Sequence, residues 1–438
     1  MSYCKITRSW FKVYCRQSIV VICFFAVFHS GLSPTREERF ILNSIRIQQI
    51  KPSATIEMEG TVAALKEAGV DVISLNAGEP DFDTPENICR ACTKAMQEGQ
   101  TKYVTVSGIL PLKKAICAKL LRDNHVSYEP SEIVVSTGAK QALYNAIACI
   151  CNPGDEVIIP TPCWVSYEEI VHLVDAKVVL VPTHVGDFQL DLDAIRAAIT
   201  PKTKAIIINS PNNPTGAVYP ESSLRALARM AVEHDFYIVS DEVYEKLIYG
   251  EAQHFCPAAA GEAEKAHTIV INGFSKAFAM TGWRLGYCAA TKEIARGIAS
   301  LQGHTTSNST TFVQWAGVEA LNGPQDSVAT MVAEYARRRE YMLSRLQAMP
   351  NITCGNADGA FYLMPDVSRY FGAKTPEGKP IQNSLDFCNY ILEHAKVAIV
   401  PGAAFEAPNS VRIAYSNSME NIAKGMDRFE QALHDLKV

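Results

Sequence analysis

Several protein classes are excluded by what this chain has little of. Positive charge is not in excess: 41 Lys and Arg stand against 46 Asp and Glu, a formal net charge of -5. A nucleic-acid binder needs a basic surface strong enough to show in that balance, so no nucleic-acid partner is expected. Cysteine occurs 13 times, an odd count without the rhythm of a disulfide framework. That excludes a stapled extracellular scaffold and makes reduced thiols the expectation. The C-x-x-C pair Cys89 and Cys92 lies in ENICRACTKAM, which reads as a helix. With no second pair nearby, helix packing is expected there and no metal. Repeats and low-complexity linkers are absent. The remaining composition, 48% hydrophobic and 20% charged over 438 residues, is that of a globular chain long enough for two domains sharing a large core.

Long apolar runs are also scarce. The stretch from Ile19 to Phe28 follows Lys5, Arg8, Lys12 and Arg16 and precedes His29, Ser30 and Gly31, the layout of a secretory-type leader. It is about half the ~20 residues that a membrane-spanning helix requires, so no stable membrane association is expected once the leader is removed. Residues 1–31 are therefore set apart, with cleavage near Gly31. A gene start placed too far upstream leaves the same pattern. The compartment stays open between a plastid reached through the secretory route, another organelle and the cytoplasm. The N-x-S/T sequons at Asn308 and Asn351 arise too easily by chance to decide it.

From Asp71 onward, apolar β-branched runs alternate with amphipathic stretches: EIVVS, EVIIP, KVVLVP, KAIIINS, FYIVSDE, TIVING and LGYCAA, each bounded by turn or helix signals. This implies an α/β fold with a largely parallel sheet flanked by helices. After Thr311 the pattern shifts to long helices and then a short mixed region. The expected organisation is a large domain over 84–310, a smaller α/β domain over 311–438, and an N-terminal segment, 32–83, that joins the smaller domain. The run Arg337, Arg338, Arg339 reads as a solvated helix face.

Chemistry concentrates at strand ends. In NGFSKAFAMTGWRLGY, Lys276 follows the apolar strand TIVING, and Arg284 lies eight residues on. Desolvation disfavours the ammonium of such a lysine, which suits it to imine formation and proton transfer. Ser275 and Arg284 are then placed for an anionic group. In SDEVYEKLIYG, Asp241 ends the strand FYIV at the usual ligand crevice of an open sheet, and it is suited to keep a pyridine nitrogen protonated. Tyr244, three residues on, is suited to a ring oxygen. Read alone, the Asp-Glu pair fits a metal site or a helix cap equally well. In NSPNNPTGAVY the prolines and Gly216 fix a tight loop that offers the amide of Asn213. EIVVSTGAKQALYNAI passes from strand through Gly138 into a helix whose first-turn N–H groups form an anion site. Lys140 in that turn opposes the helix dipole, which points to an anionic ligand. Trp164 in TPCWVSY is an aromatic plate for a flat ring, or simply core.

These pieces occur in one order, and together they resemble the aspartate aminotransferase family of fold-type I pyridoxal-phosphate enzymes. The resemblance runs from about Asn43 to Leu436 and includes IKPSAT, SLNAGEPDFDTP, TKYVTVSGILPL and PGAAFEAPNSVRIAYS. It implies a large domain with a mostly parallel seven-stranded sheet and pyridoxal 5'-phosphate as cofactor. Lys276 resembles the Schiff-base lysine, Asp241 the pyridine-nitrogen partner, and Asn213 and Tyr244 the ring-oxygen partners. Trp164 resembles the stacking aromatic, and Gly138, Ala139, Lys140, Ser275 and Arg284 match the phosphate side. Arg412 is similar to the arginine that grips the substrate α-carboxylate, Gly78 to a substrate-contacting glycine, and Tyr103 to the tyrosine that reaches the neighbouring subunit's phosphate. A homodimer with shared sites is implied. Gly273 departs from the serine frequent at its position, which removes one phosphate hydroxyl.

KPSAT, AGEPDFDTP and GAKQAL place the resemblance in subgroup Ib, which holds aspartate and aspartate/prephenate aminotransferases. There Lys140, with Ser53 and Thr55 and assisted by Lys51, is implied to hold the second carboxylate of an acidic substrate, and a dicarboxylate does need a cation at each end. The implied reaction is ping-pong transamination of aspartate with 2-oxoglutarate; use of prephenate as a second acceptor stays open, a plain aspartate enzyme being the alternative. Rival readings are an aromatic or kynurenine-type aminotransferase, a lyase on the same fold, and a catalytically silent regulator.

Overall fold

The computed structural model describes residues 43–437, and the expected leader lies outside them. The elements that follow fall within Arg46–Val438, one unit of the chain. Among the described residues no helix is long and apolar enough to cross a membrane.

The seven apolar runs read from the sequence form one sheet. After a short β1 (Ile73–Ser74) come β2 (Ile133–Ser136), β3 (Glu156–Thr161), β4 (Lys177–Pro182), β5 (Thr203–Asn209), β6 (Tyr237–Asp241), β7 (Thr268–Gly273) and β8 (Gly286–Ala289). The order across the sheet is β2-β8-β7-β6-β5-β3-β4. All neighbours are parallel except β8, which runs antiparallel to β2 and β7. Near-continuous burial of Ile and Val on these strands follows from helices on both faces. Val157, Ile159, Ile207 and Val239 pack under the helices Ala139–Ile150 and Ser166–Leu173. The alternate residues Ile158, Ile206, Ile208 and Ile238 meet Leu224, Leu227 and Ala231 of the helix Glu221–His234. Each such side chain contributes about 1.5–3 kcal/mol by leaving water.

The last strands build a separate layer. β9 (Tyr362–Leu363), β11 (Val400–Pro401) and β12 (Val411–Ala414) make a three-stranded antiparallel sheet in the order β11-β12-β9. β10 (Val397–Ala398) pairs in parallel with β1, so the chain before Pro85 is hydrogen-bonded to the C-terminal segment, as Ile73 opposite Val397 and Ser74 opposite Ala398. Ala414 N also donates to Leu75 O, at 2.7 Å. The helix Thr311–Asn322, which the division at 310/311 assigns to the C-terminal segment, packs Val313, Ala316 and Ala320 against Ile88, Cys92 and Leu112. Cys92 is buried in that packing, and both thiols of the pair are free.

The solvated reading of the arginine run is corrected at its centre. On the helix Asp326–Ala348, Arg338 is 6% exposed and donates to both Asp81 oxygens at 2.8 and 2.9 Å. Arg339 bonds Asp358, and Arg337 stays outside with Glu334. Met331, Tyr335, Arg338 and Met342 share the buried face, so helical spacing carries the middle arginine inward.

Candidate active site

Parallel pairing brings the C-terminal ends of β5, β6 and β7 side by side, with Asn209 opposite Asp241 and Asp241 opposite Ile271. Ser136 of β2 and Gly273 of β7 both pair with Gly286 of β8, which puts the turn after β2 at the same edge. This edge is where an open α/β sheet offers a crevice. A cavity of about 270 Å³ lies there.

Gly138 opens the helix Ala139–Ile150 with φ +83°, and a Cβ there would stand 2.5 Å from the Arg284 guanidinium. Glycine is therefore required both for backbone conformation and for close approach of the arginine. Gly273 is similarly enclosed: a Cβ would sit 3.1 Å from Leu285 O and 3.5 Å from Ala139 Cβ, so a serine at this position is crowded. Lys140 and Arg284 face one cavity, and their mutual repulsion adds to burial in lowering the Lys140 pKa. Neither forms an ion pair with a carboxylate among the described residues. Lys140 Nζ lies 4.7 Å above the Trp164 ring.

Asp241 is 5% exposed. Tyr167 donates its hydroxyl to Oδ2 at 2.8 Å. Burial pushes this carboxyl up to about 6, against the pull of the Tyr167 hydrogen bond. Asn209 donates to the Asp241 carbonyl at 2.9 Å and accepts from Asn213 N at 2.7 Å, which locks the two loops together. Lys276 Nζ donates to Gly78 O. Burial lowers its pKa to about 8, opposed by the Glu79 carboxylate and assisted by the charges of Arg412 and Arg284. Thr281 Oγ1 donates to Glu79 at 2.7 Å, so the segment after β1 is tied to the lysine loop twice. The Tyr244 hydroxyl lies 3.0 Å from that of Tyr362, and burial raises both phenols.

Arg412 on β12 is 2% exposed. It donates through Nη1 to Asn213 Oδ1 at 3.0 Å and through Nη2 to Asn76 O at 2.9 Å. Its Nε and Asn76 Oδ1 are buried without partners. The guanidinium stacks on Tyr362, 4.5 Å from the ring centroid. Among the described residues no carboxylate pairs with it. A buried cation held only by neutral acceptors, with a donor left over, is a site for an anion.

Behind β6, Glu242, Glu245 and His254 cluster closely enough to suggest a metal site. Lys119 pairs with Glu245, to which Asn124 and Asn272 also donate at 2.9 and 2.8 Å, and His254 Nε2 lies 3.0 Å from Glu242. This buried network braces the turn that carries Asp241 and Tyr244.

The cavity collects Thr55, Gly78, Ala139, Lys140, Trp164, Asn213, Asp241, Tyr244, Ser275, Lys276, Arg284 and Arg412 from the sequence reading. Ser53 and Lys51 are corrected: they line a neighbouring cleft with Glu168, Glu169 and Glu406. Ser53 reaches the cavity only through Thr55, hydroxyl to hydroxyl at 2.9 Å. Tyr103 is 91% exposed and lies in a separate hollow with Asn308 and Phe312. The sequence reading missed Tyr167, Asn209, Tyr362 and Glu59, all of which line the cavity. Tyr167 lies in the first turn of the helix Ser166–Leu173, just after Trp164, and the two rings pack edge to face with centroids 5.4 Å apart. Tyr362 carries no local signal.

A covalently competent lysine, a buried acid at a strand end and a buried arginine awaiting an anion define a group-transfer enzyme for anionic amino or oxo compounds. Residues 70–429 match the family model of aminotransferase class I and II. The chain is 45% identical over 395 residues, 89% of its length and 98% of the relative's, to the aspartate/prephenate aminotransferase of Thermus thermophilus. Its fold superposes with a TM-score of 0.88 on the aspartate aminotransferase of Rhizobium meliloti, at 40% identity covering 91% of this chain and all of that one. The Thermus thermophilus aspartate aminotransferase with maleate gives 0.83 at 43% identity, covering 89% and 99%. This chain belongs to the class I and II aminotransferase family.

Proposed function

We propose that the protein transfers the amino group of aspartate to 2-oxoglutarate and to prephenate, using pyridoxal 5'-phosphate. The observation that carries this reading is Arg412, a buried guanidinium with no carboxylate partner in the same cavity as the Lys276 amine. The residues fit the cofactor. Asp241 is a buried carboxyl without a cation, ready for a pyridine nitrogen, and Lys140 and Arg284 are cations without an anion. Lys276 would hold the aldehyde carbon. Ser275, Arg284 and the helix N-terminus at Gly138, Ala139 and Lys140 would take the phosphate. Asn213 and Tyr244 would meet the ring oxygen, and Trp164 the ring face. When bound, the cofactor supplies an electron sink that stabilises the carbanion at the substrate Cα.

The chain itself does the rest. Arg412 fixes the α-carboxylate in a planar fork, with Gly78 beside it. The Lys276 amine, whose pKa burial lowers, accepts the Cα proton and returns it. Tyr362 and Phe405 lie against the guanidinium and limit water there. Lys140 and Thr55 are positioned for a distal carboxylate, which aspartate, 2-oxoglutarate and prephenate share. Aspartate leaves as oxaloacetate, and the acceptor departs with its amino group. Maleate, named with the Thermus structure, is itself a dicarboxylate. The exposed Tyr103 supports a homodimer in which it reaches the partner's phosphate.

Initial rates with aspartate against 2-oxoglutarate and against prephenate, for wild type and Lys140→Ala, test this reading. Comparable specificity constants that both fall by about tenfold or more in the variant support it. Turnover of neutral amino acids alone would overturn the acidic assignment and leave the family chemistry intact.

A further inference from the structure

Four cationic side chains face the cavity, Lys140, Lys276, Arg284 and Arg412, and two carboxylates, Asp241 and Glu59. Asp241 is buried and bonded to Tyr167. Glu59 is exposed and lies on the helix Ala54–Glu67, one turn beyond Thr55, so both side chains share the face that forms the cavity wall. Its carboxylate forms no hydrogen bond or ion pair among the described residues. Yet its charge reaches the substrate end of the site, where it strengthens proton binding by Arg412 and by Tyr362.

A carboxylate that holds nothing in the fold and faces a cationic cavity acts on what enters. It repels a second carboxylate on the incoming molecule and leaves a neutral side chain unaffected. We propose that Glu59 is a specificity-determining residue that disfavours dicarboxylate substrates relative to those with neutral side chains. This rests on the reading that Arg412 takes the α-carboxylate of every substrate, so that the repulsion Glu59 exerts there is common to all of them and only a second carboxylate discriminates. Lys140 and Glu59 then act in opposition, and their balance sets the preference between acidic and aromatic substrates.

The test is calorimetric titration of the holoenzyme and its Glu59→Gln variant with maleate and with 3-phenylpropionate, at low and at high salt. Gln matches Glu in shape and helix propensity, so the exposed substitution leaves the fold intact. The expected result is about three- to tenfold tighter maleate binding in the variant at low salt, shrinking as salt screens the charge. Binding of 3-phenylpropionate, which has only the carboxylate that both ligands share, should tighten less than that of maleate. Unchanged maleate affinity, or equal tightening of both ligands, overturns the role of Glu59 while the dicarboxylate reading stands. No maleate binding by either protein overturns both.

Discussion

The Tyr167 hydroxyl donates to Asp241 Oδ2 at 2.8 Å, inside a core where both side chains are buried. This hydrogen bond favours the ionised carboxylate against a burial that has already raised it to about 6. Tyr167→Phe removes the donor, so the Asp241 pKa rises further and more of it is protonated near neutral pH. The cofactor dissociation constant is expected to rise about tenfold, the worth of one hydrogen bond to a charged group. The deficit should be larger at pH 6 than at pH 8, as read by equilibrium dialysis at both values.

Lys276 would hold the cofactor aldehyde carbon, and only its neutral amine is a nucleophile. With its pKa lowered to about 8, the rate at which cofactor-free protein recaptures pyridoxal phosphate should rise with pH and level off above about 8. An ordinary lysine would keep the rate rising to about 10.4. Stopped-flow absorbance across pH 6.5–9.5 reads the difference. Glu79→Ala removes the charge that opposes the shift, and the plateau should then be reached at lower pH.

The Lys276, Asp241 and phosphate-side segments were legible because each is a short local pattern at the end of an apolar strand, and parallel β-strands bring such ends together whatever the loops do. The seven strands were legible for the same reason. What stayed hidden is contact between distant segments. Tyr362, far along the chain from Tyr244, meets it through a tertiary contact that no periodicity records. Ser53 and Thr55 come together from the resemblance of KPSAT, and their hydroxyls do meet, but only Thr55 lines the cavity while Ser53 lines the cleft beside it. Arg338 was readable in principle from its helical spacing to Met331 and Tyr335.

Arg338 depends on Asp81 across more than 250 residues of chain, and Asp81→Ala leaves its buried guanidinium with Glu334 alone. Urea unfolding of the holoenzyme should show a loss of about 2–3 kcal/mol. Arg337→Ala, at a solvated ion pair, should cost less than about 0.5 kcal/mol.

Removing the cofactor leaves Lys140, Arg284 and Arg412 lining one cavity, none of them ion-paired with a carboxylate among the described residues. The cofactor-free protein should melt at lower temperature than the holoenzyme. At a hundredfold excess of cofactor over its dissociation constant the difference corresponds to about 2.7 kcal/mol. Inorganic phosphate should recover part of it by occupying the Gly138–Arg284 end, a result that scanning calorimetry reads directly.

The central claim is that the holoenzyme takes the amino group from one substrate and gives it to another, with Lys276 moving the proton, and the half-reaction tests it most directly. Full-chain holoenzyme is mixed with aspartate and no acceptor, and oxaloacetate is counted per subunit. The expected result is about one equivalent formed in a single burst that then stops, resumes on adding 2-oxoglutarate, and is absent in Lys276→Ala. Continuous oxo-acid and ammonia production without an acceptor, or a burst that survives in Lys276→Ala, would contradict it.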